Sequence, residues 1–282
     1  MIFSNSMKLN DISHVEQKAN WVEIQTNRLS SKAFCVEVNS KKYFLKIEQL
    51  SKSWHISPEY LKVITIDDPY IIKYHIVEES DLEEFGFDKS LITLTDYLPQ
   101  RIFLSDFFSQ SNSKNQLKIC LRLLKSIYAF HAKDILHRDI SSPNFLVFEK
   151  FKQFFPIITD FNFFVPIENN EIFISPEYLA PEVNGFRDYT VKSEIWAIGV
   201  LIFYFCTNSF PFGSRLDGLS HDEIKNNVLK QEIDSKINII PEVFQKIIKL
   251  CLQKNISERA ESLEVIIKIL KKEIGWKSHF IV

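Results

Sequence analysis

Residues His137-Arg138-Asp139-Ile140-Ser141-Ser142-Pro143-Asn144 decide how this chain is read. An Asp and an Asn five positions apart, on a tight loop after a helix, place a base and an oxygen ligand at one point. The helix is signalled by Leu117, Cys120, Leu121, Leu124, Ile127 and Tyr128, which share one face at a 3.6-residue period. Sixteen residues beyond Asn144, the apolar run Phe155 to Ile158 reads as a strand and delivers Asp160-Phe161-Asn162. A carboxylate there completes a site for a hard divalent cation, which takes oxygen ligands. Further on stand Ser175-Pro176-Glu177-Tyr178-Leu179-Ala180-Pro181-Glu182, Glu194-Ile195-Trp196 with Gly199, Pro211-Phe212 and Arg259.

Together, and in this order, these residues resemble the protein kinase family over roughly residues 20 to 270. His137-Arg138-Asp139 with Asn144 matches the catalytic loop, Asp160-Phe161 the first two residues of DFG, and Ala180-Pro181-Glu182 the APE segment. Arg259 matches the arginine that pairs with the APE glutamate. The resemblance implies a bilobal α+β fold, with a small antiparallel β-rich lobe carrying one helix and a larger, mostly helical lobe. It implies transfer of the ATP γ-phosphate to a protein hydroxyl, with Mg2+ or Mn2+. Asp139 then accepts or orients the substrate hydroxyl, and Asn144 and Asp160 hold the metal. His137 and Phe161 are packing residues. Ser175 to Glu182 resembles the Ser/Thr branch of the family, with Ser175 beside the catalytic Asp.

The first hundred residues fit the small lobe. Trp21 to Gln25, Ala33 to Val38, Lys42 to Ile47, Ile71 to Val77 and Leu91 to Tyr97 read as strands, with a hairpin turn at Asn39 to Lys41 and an acidic loop at Glu78 to Glu84. Ser57-Pro58-Glu59 reads as a helix start, Ser capping and Pro at the first helical position. Tyr43-Phe44-Leu45-Lys46 resembles the VAIK strand, so Lys46 is the lysine that contacts the α- and β-phosphates and Glu59 its partner. Thr95 is implied as gatekeeper, Asp96-Tyr97-Leu98 as hinge, and Leu146, with Phe44, as a further nucleotide contact. The expected organisation is an extension over 1–20, a small lobe over 21–98 and a large lobe over 99–282. Within the large lobe, Val191 to Thr207 is apolar almost all round and reads as a buried helix, while Pro241 to Leu252 and Glu261 to Ile274 read as amphipathic ones.

Several residues depart from the family pattern. Arg28 to Phe34 stands where a glycine-rich loop is expected. Phe44 replaces an alanine that packs on adenine, and shares a strand face with Lys46. Ser141 replaces a lysine two positions after the catalytic Asp. Asn162 replaces the DFG glycine, as a residue that tolerates left-handed backbone. Glu194 replaces an Asp. Phe163 to Ile174 holds no Ser, Thr or Tyr, so phosphorylation of that segment cannot be the switch. Glu171 stands near the usual phosphate position and is expected to pair with Arg138.

Composition narrows the remaining classes. Six glycines in 282 residues, none in the first 85, exclude a Walker A loop and a Rossmann fingerprint. A net charge of -2 argues against a nucleic-acid binder. Cys35, Cys120, Cys206 and Cys251 form no CxxC pair, which argues against structural zinc and for free thiols in a reducing, cytoplasmic compartment. The N-terminus shows no secretory pattern. The longest apolar run, Ile195 to Cys206, falls short of the ~20 residues a membrane span needs. The leading reading is a Ser/Thr protein kinase independent of loop phosphorylation. A pseudokinase scaffold and a small-molecule phosphotransferase are the alternatives. Substrate protein and oligomeric state are not legible.

Overall fold

The computed structural model describes residues 20–24, 30–51, 53–57, 60–82, 87–99, 101–150, 153–166 and 174–275. They fall into two compact units. One runs to Pro99 and includes a second piece that begins at Phe163; the other takes the remainder from Gln100.

The first unit is built on a five-stranded antiparallel sheet in the order β1-β2-β3-β6-β5. The strands are β1 (Asn20–Ile24), β2 (Ser31–Val38), β3 (Lys41–Gln49), β5 (Tyr74–Leu82) and β6 (Phe87–Asp96). β2 and β3 are joined by Asn39 and Ser40, whose φ angles of 50° and 63° make the two-residue turn that matches strand twist. Alternation sorts the central strand. Leu45 and Ile47 are 1% and 2% exposed and pack with Val36, Val38, Ile76, Phe87, Ile92 and Leu94. Phe44, Lys46 and Glu48 lie on the opposite face.

Two local expectations change. The acidic stretch from Glu78 is strand as far as Leu82, because β6 pairs with it through Ser80–Ser90 and Leu82–Phe87. β5 is an edge strand, where charged side chains are tolerated, and Lys89 pairs with Glu79 at 2.9 Å. After Ser57 the described helix is a six-residue 3-10 helix, Tyr60–Thr65, preceded by the short β4 (Trp54–Ile56). β4 pairs with β10 (Phe164–Pro166), which draws the piece beginning at Phe163 into the first unit although it follows residue 99 in the chain.

The second unit holds six α-helices among the described residues: α1 (Leu104–Gln110), α2 (Ser113–His131), α3 (Val191–Thr207), α4 (His221–Lys230), α5 (Glu242–Cys251) and α6 (Leu263–Glu273). A three-stranded sheet joins β7 (Ile102–Phe103), β8 (Phe145–Lys150) and β9 (Gln153–Ile158). α3 keeps the bounds its apolar run predicts, and Ile195, Trp196 and Val200 are wholly buried. Gly199 lets α3 approach the end of α5: a Cβ there would stand 2.5 Å from the Cys251 Cβ. α2 starts where the Asn112 side chain accepts the Asn115 amide at 3.0 Å.

Candidate active site

The loop after α2 carries Asp139 and Asn144, and hydrogen bonds join them. The Asn144 Nδ2 donates to the Asp139 carboxylate at 2.8 Å and to its carbonyl at 2.9 Å. Asn144 is 5% exposed, so this amide is fixed, and its nitrogen's engagement makes Oδ1 the atom available to a cation. The β8–β9 register sets Phe145 against Ile158, and the Thr159 amide then donates to the Asn144 carbonyl at 2.9 Å. Asp160 follows immediately, so backbone pairing brings Asp139, Asn144 and Asp160 to one end of that hairpin.

His137 fastens the loop from beneath. Its Nδ1 accepts the Asp139 amide at 3.2 Å, which leaves Nε2 to donate to the Thr159 carbonyl at 3.0 Å. Burial pushes its pKa down and favours the neutral ring this geometry needs. The ring lies 4.4 Å from that of Phe161, which in turn meets Phe130 at 4.9 Å, so His137 and Phe161 are packing residues. The Asn162 amide donates to the His137 carbonyl at 3.1 Å. The left-handed residue of this turn is Asp160, at φ 54°, not Asn162, because Asp160 makes the bend between Thr159 and Asn162, which are both tied by their amides.

Glu194 anchors the same loop from α3. Its Oε1 accepts the Arg138 amide at 2.9 Å and its Oε2 lies 2.6 Å from the His131 Nε2. Arg138 is held at φ 62°, a conformation that costs energy and persists only where the surroundings impose it. Its guanidinium lies 4.0 Å over the Phe186 ring. Burial pushes the Glu194 carboxyl up, but His131, His137 and the Arg138 amide bring it below its ordinary value. His131 is absent from the sequence expectations. It sits at the end of α2, and only the folded chain brings it to residue 194.

The segment from Ser175 is fastened to the same unit. The Tyr178 hydroxyl accepts the Ser142 amide at 3.0 Å. Glu177 takes the Arg215 amide at 2.9 Å and its Nε at 3.1 Å. Arg259 grips Glu182 with two nitrogens, at 2.7 and 2.9 Å.

In the first unit, Phe44, Lys46 and Thr95 share a face of the sheet, and Phe44 stands directly opposite Thr95 in register. The Lys46 Nζ pairs with Glu48 at 3.0 Å. Glu48 is missing from the sequence expectations, although strand alternation signals it, two positions beyond Lys46. The Asp96 side chain does not join this face. It pairs with His75 at 2.8 Å and Lys41 at 3.3 Å on the side of Tyr43, and the His75 hydrogen bond, with Lys41, holds its carboxyl below the usual range. Only its backbone is left for the hinge role, because successive strand residues face opposite ways. Leu98 is half-buried just past β6. Leu146 belongs to β8 in the second unit and is buried. Glu59, Glu171 and the Arg28–Leu29 part of the expected nucleotide loop lie outside the described residues.

A model of the protein kinase domain family matches residues 25–270. The chain belongs to the protein kinase family. The kinase domain is 28% identical over 173 residues to calcium-dependent protein kinase 25 of Arabidopsis thaliana, covering 59% of this chain and 32% of that protein. It is 28% identical over 206 residues to the probable serine/threonine-protein kinase PknB of Lactococcus lactis, covering 67% of this chain and 31% of that one. It thus spans about a third of the length of these relatives. Among solved structures, the Cydia pomonella granulovirus kinase PK-1 superposes with a TM-score of 0.69 at 19% identity, over 93% of this chain and 99% of that one. The fold is therefore the bilobal α+β kinase fold.

The donor set fits the cofactor the family uses. Asn144 and Asp160 offer hard oxygen ligands, and Mg2+ binds through one or two protein groups while phosphates and water complete its shell. Among the described residues no group of three or more His, Cys, Asp or Glu gathers as a metal site. No helix among them is long and apolar enough to cross a membrane.

Proposed function

We propose that the kinase domain transfers the γ-phosphate of ATP to Ser or Thr hydroxyls of a protein, in the cytoplasm. The observation that supports this reading is the Asn144–Asp139 hydrogen bond at 2.8 Å, which fixes the Asp139 carboxylate beside Asn144 and engages the Asn144 nitrogen rather than its Oδ1. Asp139 orients the attacking hydroxyl and takes its proton. Asn144 and Asp160 hold Mg2+, which when bound neutralises phosphate charge. Lys46 contacts the α- and β-phosphates, Thr95 and the hinge backbone of Asp96 and Leu98 meet the base, and Leu146 packs on it. Catalysis of this kind is positioning and electrostatics, which suits a loop fastened by His137 and Glu194.

Activity in this reading does not wait on phosphorylation of the segment after Asp160. That segment has no hydroxyl from Phe163 to Ile174, and Arg138, which a loop phosphate would otherwise order, is packed on Phe186. Glu171 is assigned as its anionic partner.

The test is incubation with labelled ATP, Mg2+ or Mn2+ and a generic protein substrate, beside Asp139→Ala, before and after phosphatase treatment. Label that appears with the wild type, survives phosphatase and disappears in the variant is expected. No transfer with either metal would favour the second reading, a nucleotide-poor scaffold. The specific support for that one is Phe44 standing across from Thr95 on the face that carries Lys46.

A further inference from the structure

We infer that Glu48 is a positioning residue for Lys46, a counter-charge carried by the same strand. The inference rests on the reading of Lys46 as the phosphate-contacting lysine.

The ion pair measures 3.0 Å, and its side chains are 17% and 21% exposed. That separates it from a solvated surface pair, where long side chains and water leave little net attraction. Its geometry is set by the backbone. β3 lies between β2 and β6, with Lys46 registered against Ala33 and Thr93, and Glu48 against Ser31 and Leu91. Residues two apart on a strand share a face, so the carboxylate reaches the ammonium without any other element moving.

The chemistry follows from the donor count. An ammonium has three N–H donors, so one directed at Glu48 fixes the lysine's aim without excluding phosphate. The need is greater here than in a chain with a glycine-rich loop, because Ser30, Ser31 and Lys32, none of them glycine, stand in that loop's place.

The experiment compares wild type, Glu48→Gln, Glu48→Asp and Lys46→Met in the full chain. It reads KM and kcat for ATP, MgATP binding by calorimetry, and the rate at which an amine-reactive ester acylates Lys46, followed by mass spectrometry. Expected are loss of ATP binding in Lys46→Met and a rise of about tenfold in KM in Glu48→Gln with kcat changed far less, the scale of one charge-assisted hydrogen bond. Partial recovery in Glu48→Asp and faster acylation of Lys46 in Glu48→Gln complete the expected pattern. If Lys46→Met is defective while Glu48→Gln keeps wild-type KM and acylation, the inference is overturned and the lysine's role stands. If Lys46→Met binds ATP normally, the phosphate-lysine reading fails and takes the inference with it. Should Glu48→Gln not fold, unchanged KM and acylation in folded Glu48→Asp overturn it equally.

Discussion

Arg259 and Glu182, 77 residues apart, form a two-pronged ion pair in which the arginine side chain is wholly buried. The pair is satisfied on all sides. Arg259 also donates to the Lys192 and Gln253 carbonyls and lies 5.1 Å over Trp196, while Ser193 donates to Glu182 at 2.9 Å. It fastens the end of the Ser175–Glu182 segment to α3 and to the loop before α6. Breaking one partner strands a charge. Glu182→Ala is expected to cost about 3–5 kcal/mol, seen as a lower denaturant midpoint at unchanged slope. A double change to Glu182→Leu with Arg259→Met should cost clearly less, since no charge is left buried.

Gly199 offers a prediction without electrostatics. A Cβ there would meet the Cys251 Cβ at 2.5 Å and the Leu252 Cδ2 at 2.9 Å. The first neighbour is close to backbone and cannot swing away. Gly199→Ala should lower stability by about 1–3 kcal/mol through overpacking between α3 and α5, despite alanine's better helix propensity. A melting temperature at or above wild type would refute the close approach.

Acid should destabilise the kinase domain in two stages. His137 is held below its ordinary value of 6.5, mainly by burial, so below that pH the unfolded chain binds a proton the native chain refuses. Glu194 is also held below its ordinary value of 4.5, so its stabilising contribution is present above that pH and is lost as the pH falls through its folded value. Both signs agree: stability falls with falling pH, by up to about 1.4 kcal/mol per pH unit for each proton. Denaturant midpoints between pH 7.5 and 4 measure it. Glu194→Gln should flatten the lower stage and, by removing a charge that raises the His137 pKa, keep or deepen the upper one.

Phe44 faces Thr95 across the β3–β6 pairing. Phe44→Ala removes a ring from the face that carries Lys46, and ATP affinity measured by calorimetry should rise by about tenfold, or 1.4 kcal/mol. Weaker binding in the variant would mean that the ring stacks on the base, and would count against the scaffold reading.

Much of this was legible along the chain. The catalytic loop, Asp160, the APE segment, the bounds of α3 and the Asn39–Ser40 turn depend on local spacing, local turn chemistry or an unbroken apolar run. Such signals survive in one dimension because each is set by residues within a few turns of one another.

What the sequence by itself determined, then, is the family and the positions, Asp139, Asn144 and Asp160, that match its motifs. Only the tertiary structure decided who holds whom. His131 meets Glu194 because two helices pack, the acidic stretch from Glu78 becomes strand because β6 offers it hydrogen-bond partners, and the left-handed bend falls on Asp160 because hydrogen bonds on either side fix its neighbours. Each outcome is a competition between partners distant in sequence, and the free energy of those contacts exists only once the backbone has brought them within reach.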